Sequence, residues 1–155
     1  MKIIRASEFH AETIAKLNFF VQKIHHEAHP NIFKSCRKND EIKPFFEQIL
    51  DNQKNYIFLA YLKDIPVGYL WAQIQEIPET PLTYSKRRIH IHHISVNEKY
   101  RRKGIGASLL NKVKKLSTER DIPDIAVDTW AFNNDANHFF RSQGFDIYNF
   151  RLWNI

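Results

Sequence analysis

Apolar residues change their rhythm several times along this chain, and each change marks an element. Lys2–Arg5 is short and β-branched, which predicts a first strand. Ser7 can cap a helix in which Phe9, Ile14, Leu17, Val21, Ile24 and Ala28 recur at near-helical intervals and give one apolar face. His29-Pro30 ends that helix, because the residue before proline avoids the α region. A shorter helix is predicted over Ile42–Asp51, with Ile42, Phe45, Phe46, Ile49 and Leu50 on its buried side. The period then shortens. Tyr56–Leu62 and Pro66–Ile77, joined by Lys63-Asp64, read as an antiparallel hairpin, and Arg87–Val96 as a third long strand. Gly104–Arg120 returns to helical spacing with a stripe of Ile105, Leu109, Leu110, Val113 and Leu116. Ile125–Trp130 is predicted as a strand, Asn134–Ser142 as a helix and Phe145–Phe150 as a last strand. The predicted order is β-α-α-β-β-β-α-β-α-β. It describes an α/β (α+β) fold with antiparallel strands first and a parallel βαβ unit near Arg88–Trp130.

Composition narrows the classes. At 155 residues with 43% hydrophobic and 26% charged residues, the sequence fits one globular domain over 1–155 rather than a disordered chain. Cys36 is the single cysteine, so neither a disulfide framework nor a cysteine-built zinc site is expected. No apolar run approaches the ~20 residues of a membrane span. Arg5, Glu8 and His10 break any signal-peptide core, so a cytoplasmic location without membrane attachment is expected. Lys plus Arg number 23 against 17 Asp plus Glu, a net charge of +6, which suits an anionic partner without choosing one.

Glycine is scarce, and the four present are Gly68, Gly104, Gly106 and Gly144. Two of them stand in the stretch that carries chemistry, Ile94-Ser95-Val96-Asn97-Glu98-Lys99-Tyr100-Arg101-Arg102-Lys103-Gly104-Ile105-Gly106-Ala107. A strand runs through a turn into a helix start. Free N–H groups there carry partial positive charge, glycines allow close approach to the backbone, and Arg101, Arg102 and Lys103 add formal charge. These features describe a pyrophosphate cradle. It is not the dinucleotide fingerprint, whose third glycine is replaced by Leu109, and no P-loop run exists.

The pattern R-x-x-G-x-G-A, formed by Arg101, Gly104, Gly106 and Ala107, resembles the acyl-CoA pyrophosphate loop of the GNAT superfamily of N-acetyltransferases. Asn133-x-x-Ala136-x-x-Phe139-Phe140 with Gly144-Phe145 resembles that superfamily's second motif, and Val67-Gly68-Tyr69 fits its third strand. The resemblance covers essentially the whole chain. It implies a mixed central sheet with helices on both faces and a splayed parallel pair at the acyl-CoA site. It implies that Arg101, Arg102, Lys103, Gly104, Ile105, Gly106 and Ala107 hold the pyrophosphate of acetyl-CoA. The backbone of Ile94 and Val96 would hold the pantetheine as an added pseudo-strand, and Asn133 would lie beside the same arm. The implied reaction is direct attack of a primary amine, on a small molecule or a protein, upon the acetyl thioester, with no metal. A homodimer is compatible with it.

An amine of pKa near ~10.4 must shed a proton before it attacks, and histidine titrates in a range suited to taking it. His92 and His93 are equal candidates for the base. Simple alternation puts His90 and His92 on the face of Ile94 and Val96 with His93 on the other, and a bulge would bring His93 across. Adjacent strand residues that point apart would not converge on a metal ion. Phe140 stands where the superfamily commonly has a proton-donating tyrosine; Tyr84, Tyr100, Tyr148 and Ser142 are other hydroxyls without positional support. The acceptor is expected near His25, His26, His29, Pro30, Phe33 and Lys34, with Trp71, Tyr84 and Trp130 as aromatic walls, although core packing is the simpler reading of Trp71 and Trp130. The region Ile32–Asp40 holds no acidic cluster for a polycation. Two other functions compete: an acyl-CoA-binding sensor of the same fold without catalysis, and a basic nucleic-acid binder resting on Lys86-Arg87-Arg88 and Arg101-Arg102-Lys103. Against the second, the sequence carries no nucleic-acid-binding signature.

Overall fold

The computed structural model describes residues 1–35 and 41–154; Cys36 and the stretch to Asp40 lie outside the described residues. The strands are β1 (Lys2–Arg5), β2 (Asn55–Leu62), β3 (Ile65–Ile77), β4 (Lys86–Val96) and β5 (Ile125–Val127). The helices are α1 (Ala11–Ala28), α2 (Ile42–Asp51), α3 (Ile105–Arg120) and α4 (Asn134–Ser142), with single 3-10 turns at Glu8–His10 and Glu98–Tyr100. The strands form one sheet in chain order, β1-β2-β3-β4-β5. The first three pairings are antiparallel and only β4–β5 is parallel.

Each face of the sheet buries its own apolar layer. On one side Phe58, Leu70, Ile89 and Ile91 meet the α3 stripe of Ile105, Leu109, Leu110, Val113 and Leu116, together with Phe140 of α4. On the other side Ile57, Leu59, Tyr69 and Trp71 pack against Ala11, Ile14 and Leu17 of α1 and Phe46 and Ile49 of α2. Alternation along β2 and β3 feeds both layers, which is how a sheet covered on two faces is coded.

The structure departs from the sequence reading in five places. Phe9 is 86% exposed because it sits in the 3-10 turn ahead of α1, outside the α-helical phase. Phe45 is also exposed, while Phe46 takes the core position of α2. β5 ends at Val127 rather than at Trp130, since only Ile125, Ala126 and Val127 find partners on β4. Phe145–Phe150 is not a strand: β5 remains the edge of the sheet and the segment pairs with nothing in it.

The fifth departure positions the site. Trp71 pairs with His93 but Ala72 pairs with Ile91, so His92 has no cross-strand partner and bulges. One extra residue inverts the alternation beyond it. Ile89 and Ile91 face α3, and past the bulge Ile94 and Val96 face α3 as well. His90 and His92 therefore do not share a face with Ile94 and Val96. They share one with His93 and Ser95, whose hydroxyl donates to the Leu17 carbonyl of α1 at 2.7 Å.

Candidate functional site

β4 outruns β5. Ile89 N–H donates to the Asp124 carbonyl at 2.8 Å, so the backbone groups of Ile89 and Ile91 face β5. By the same parity, restored after the bulge, those of Ile94 and Val96 point to the side where β5 has already ended. The Val96 carbonyl is reached there by Arg101 Nε–H at 3.3 Å. The strands thus part after Ile91 and Val127, leaving a stretch of free β4 edge.

That edge leads into the start of α3. Gly104 occupies the N-cap with φ of +74° and offers no side chain to the helix. Ser108 N–H is bonded to the Gly104 carbonyl at 3.0 Å, which leaves the N–H groups of Ile105, Gly106 and Ala107 ahead of the helical ladder. Arg102 also takes positive φ, +59°, so the turn is wound in the left-handed sense that gathers backbone N–H groups into a concave nest. Arg101, Arg102 and Lys103 are exposed and, among the described residues, none joins an ion pair.

The two glycines of the loop do different things. A Cβ on Gly104 would meet nothing within 4 Å, so this position is open and its glycine serves the backbone turn. A Cβ on Gly106 would stand 3.3 Å from the Phe139 ring and 3.7 Å from Ile94 Cδ1. Its missing side chain makes room for α4, while its N–H remains part of the helix start. Asn133 caps α4, its Oδ1 accepting from Ala136 N–H at 3.1 Å, which spends the oxygen and leaves the amide N–H groups to donate elsewhere.

On the opposite face the bulge collects the histidines. His92 lies flat on Trp71, with ring centroids 4.1 Å apart and planes at 18°. His90 meets it edge-on at 4.7 Å and His93 meets Trp71 edge-on at 5.2 Å. Burial, with His90 beside it, pushes His92 down to about 4; burial, with His92 and His25 nearby, does the same to His93. Burial also lowers His90, partly opposed by Asp128 at 3.7 Å. These rings are neutral at physiological pH.

Their hydrogen bonds set their tautomers. His92 Nε2 lies 2.9 Å from Gln73 Oε1, an acceptor, so the proton is on Nε2 and Nδ1 is a bare lone pair. Among the described residues that Nδ1 has no partner, yet it is not sealed, unlike His90 Nδ1, which is buried without one. Behind His93, Asn18 Nδ2 donates to Tyr69 Oη at 2.9 Å, and Tyr69 in turn gives its proton to His93 Nδ1 at 3.1 Å. His93 then carries its own proton on Nε2. Desolvation holds the Tyr69 phenol above its ordinary range, so it keeps its proton. The sequence reading singled out neither Asn18, Tyr69, Gln73 nor Ser95 for this face. Tyr69, Trp71 and Gln73 alternate on β3, a signal that needs the β3–β4 register before it means anything.

The remaining candidates divide: the hydroxyl-bearing ones scatter, while His25, His29, Phe33 and Trp130 come together. Tyr84 is 91% exposed and precedes β4, so about ten strand residues, or ~30 Å at ~3.3 Å each, separate it from Ile94. Trp71 is a core residue whose Nε1–H donates to Asn55 Oδ1 at 2.9 Å. Tyr148 lies under Lys86 and Tyr100 under Lys103, and the Ser142 hydroxyl donates to the Phe139 carbonyl. Phe140 is 4% exposed among apolar neighbours. His25 and His26 are both half-buried, donating from Nδ1 to the Val21 and Phe33 carbonyls, each at 2.7 Å. Trp130 joins Phe33, Phe132, His29 and Trp153 in an aromatic cluster beyond the end of β5. The bulge also removes the argument that His92 and His93 point apart; among the described residues no group of three metal-ligating side chains forms.

A mixed sheet that opens between its parallel strands beside an uncapped helix start is an acetyltransferase architecture. The chain belongs to the acetyltransferase (GNAT) family, whose profile matches residues 19–145. Solved structures share the fold. A tetramutant of the BH1408 protein from Bacillus halodurans aligns over 100% of this chain and 99% of its own, with TM-score 0.92 and 20% identity. The aminoglycoside N-acetyltransferase AAC(6')-Iy in complex with CoA gives TM-score 0.76 at 18% identity over 99% of this chain and 93% of that one. The aminoglycoside acetyltransferase meta-AAC0020, from an uncultured soil metagenomic sample and in complex with sisomicin, gives 0.72 at 20% identity over 99% and 95%.

Proposed function

We propose that this acetyltransferase moves an acetyl group from acetyl-CoA to a primary amine by direct attack on the thioester. The observation that carries the reading is the continuity of β4's free edge with the uncapped start of α3. Anionic phosphate suits the N–H groups of Ile105, Gly106 and Ala107 and the unpaired Arg101, Arg102 and Lys103, and Gly104 leaves the approach open. An extended amide-bearing arm suits the Ile94 backbone, the Val96 N–H, whose carbonyl already accepts from Arg101, and the amide N–H groups of Asn133. A backbone N–H of the same edge would polarise the thioester carbonyl. The co-substrate itself supplies the acyl group and its thiol leaving group. The fold neighbour AAC(6')-Iy, solved with CoA and with the bisubstrate analogue CoA-S-monomethyl-acetylneamine, supports CoA as the carrier and an amine as the acceptor.

His92 is the base in this reading. It is neutral, and its Nδ1 lone pair is unpartnered and open, whereas Tyr69 occupies His93 Nδ1. A conjugate acid with pKa near 4 does not hold the proton; it hands it on to water. Phe140 has no proton to give the departing thiolate. A thiol pKa near ~8.5 makes that anion a tolerable leaving group, so solvent can protonate it.

The test is a melting experiment with acetyl-CoA followed by thiol release over a panel of amines. A raised melting temperature and amine-dependent thiol release are expected. Absence of any shift with acetyl-CoA would remove the site assignment. Phe140 favours one alternative, a sensor that binds acyl-CoA without turning it over, and binding with no thiol release on any amine would establish that instead.

A further inference from the structure

The bare Nδ1 of His92 depends on which way the Gln73 amide faces, and an amide can face either way. The side chains that hold it lie farther along the sheet. Gln75 and Arg88 stand directly opposite each other on β3 and β4, and Arg88 Nε–H donates to Gln75 Oε1 at 2.9 Å. Gln75 Nε2–H donates to Gln73 Oε1 at 3.2 Å. His92 Nε2–H donates to that same oxygen at 2.9 Å. A guanidinium has donors and no acceptor, so it admits only the oxygen of Gln75. The nitrogen of Gln75 then admits only the oxygen of Gln73, and that oxygen admits only a protonated Nε2. Direction enters at Arg88 and cannot reverse before it reaches the imidazole.

We propose that Arg88, acting through Gln75 and Gln73, is a positioning residue that locks His92 in its Nε2–H tautomer and so keeps Nδ1 free to accept a proton. This role rests on His92 being the base, but the relay has its own observable. Neighbouring charge is consistent with it. The groups that act on His92 are His90 and Arg88 on its own strand and Asp128 beyond β5, with His93 adjacent; Arg88 and His90 oppose a charged ring and Asp128 favours one. The stack on Trp71 fixes the ring plane without choosing a tautomer.

Gln75→Glu tests the relay at nearly constant shape. A carboxylate at 75 keeps Arg88 but accepts where Gln75 donated, so Gln73 must turn its nitrogen toward it and can then offer His92 a donor. Two-bond proton–nitrogen NMR spectra of the full chain labelled with 15N-histidine, recorded at pH 8, read the tautomer directly, with His92→Asn assigning the signal. Wild type should show Nε2–H, Gln75→Glu should show Nδ1–H, and Arg88→Lys, still a pure donor, should keep the wild-type form. In Gln75→Glu kcat should fall by about 100-fold, the lower end of a general base's contribution, with KM for acetyl-CoA changed by less than about twofold. Wild type in the Nδ1–H form, or a tautomer indifferent to Gln75→Glu, would overturn the relay. A reversed tautomer with undiminished turnover would keep the relay and discard His92 as the base.

Discussion

Single atoms decide much at this site. Tyr69 Oη is the one hydroxyl between Asn18 and His93, and it is buried. Tyr69→Phe would strand a donor on Asn18, whose Oδ1 already lacks a partner, and an acceptor on His93. Leaving such groups unsatisfied costs about 1–3 kcal/mol, so urea unfolding should show a loss in that range. Loss well below 1 kcal/mol would mean that water fills the gap. The same variant frees His93 Nδ1, so any rise in turnover would reopen His93 as the base.

Elements were legible where periodicity and punctuation agree. The α3 stripe and the bounds of α2 and α4 follow from spacing, and Lys63-Asp64 turns β2 into β3 through two positive-φ residues. The bulge was legible only as an alternative: the doubled His92-His93 breaks the alternation between Ile91 and Ile94, but the strand by itself does not say which side each histidine then takes. Only pairing against β3 places the extra residue, and with it go the face assignments of His90, His92, Ile94 and Val96. The Phe145–Phe150 stretch shows the converse: strand-like composition makes no strand when no partner is at hand. Gly68 is an element-scale constraint too, since a Cβ there would lie 2.8 Å from the Ser95 carbonyl of β4. Gly68→Ala must push β3 and β4 apart beside the site, with an expected cost of about 1–3 kcal/mol in chemical denaturation. Full stability would show that the two strands yield freely there.

At the scale of the molecule the clustered histidines become a stability term. Unfolded histidine titrates near ~6.5, while folded His92 and His93 lie at about 4. Between those values the unfolded chain binds more protons, so stability present above pH 6.5 is lost as pH falls and levels off below about 4. Calorimetry should show a melting temperature insensitive to these groups from pH 8 to 7, then falling toward pH 4, with uptake of up to about two protons on unfolding. His92→Asn should flatten part of that slope. A melting temperature independent of pH between 6.5 and 4 would mean these rings charge freely in the folded state. The cluster's neutrality also bears on enzymology: the expected rise of kcat/KM with pH follows the acceptor amine's own deprotonation, not a histidine near 6.5.

The brevity of β5 has a consequence for exchange with solvent. Amides at Ile94 and Val96 border no strand on that side, so in heavy water they should trade their protons quickly, while those of Ile89 and Ile91, covered by β5, trade slowly. Whatever settles along that rim completes a sixth rung of the sheet, and its arrival would be written in the deuterium clock of two residues.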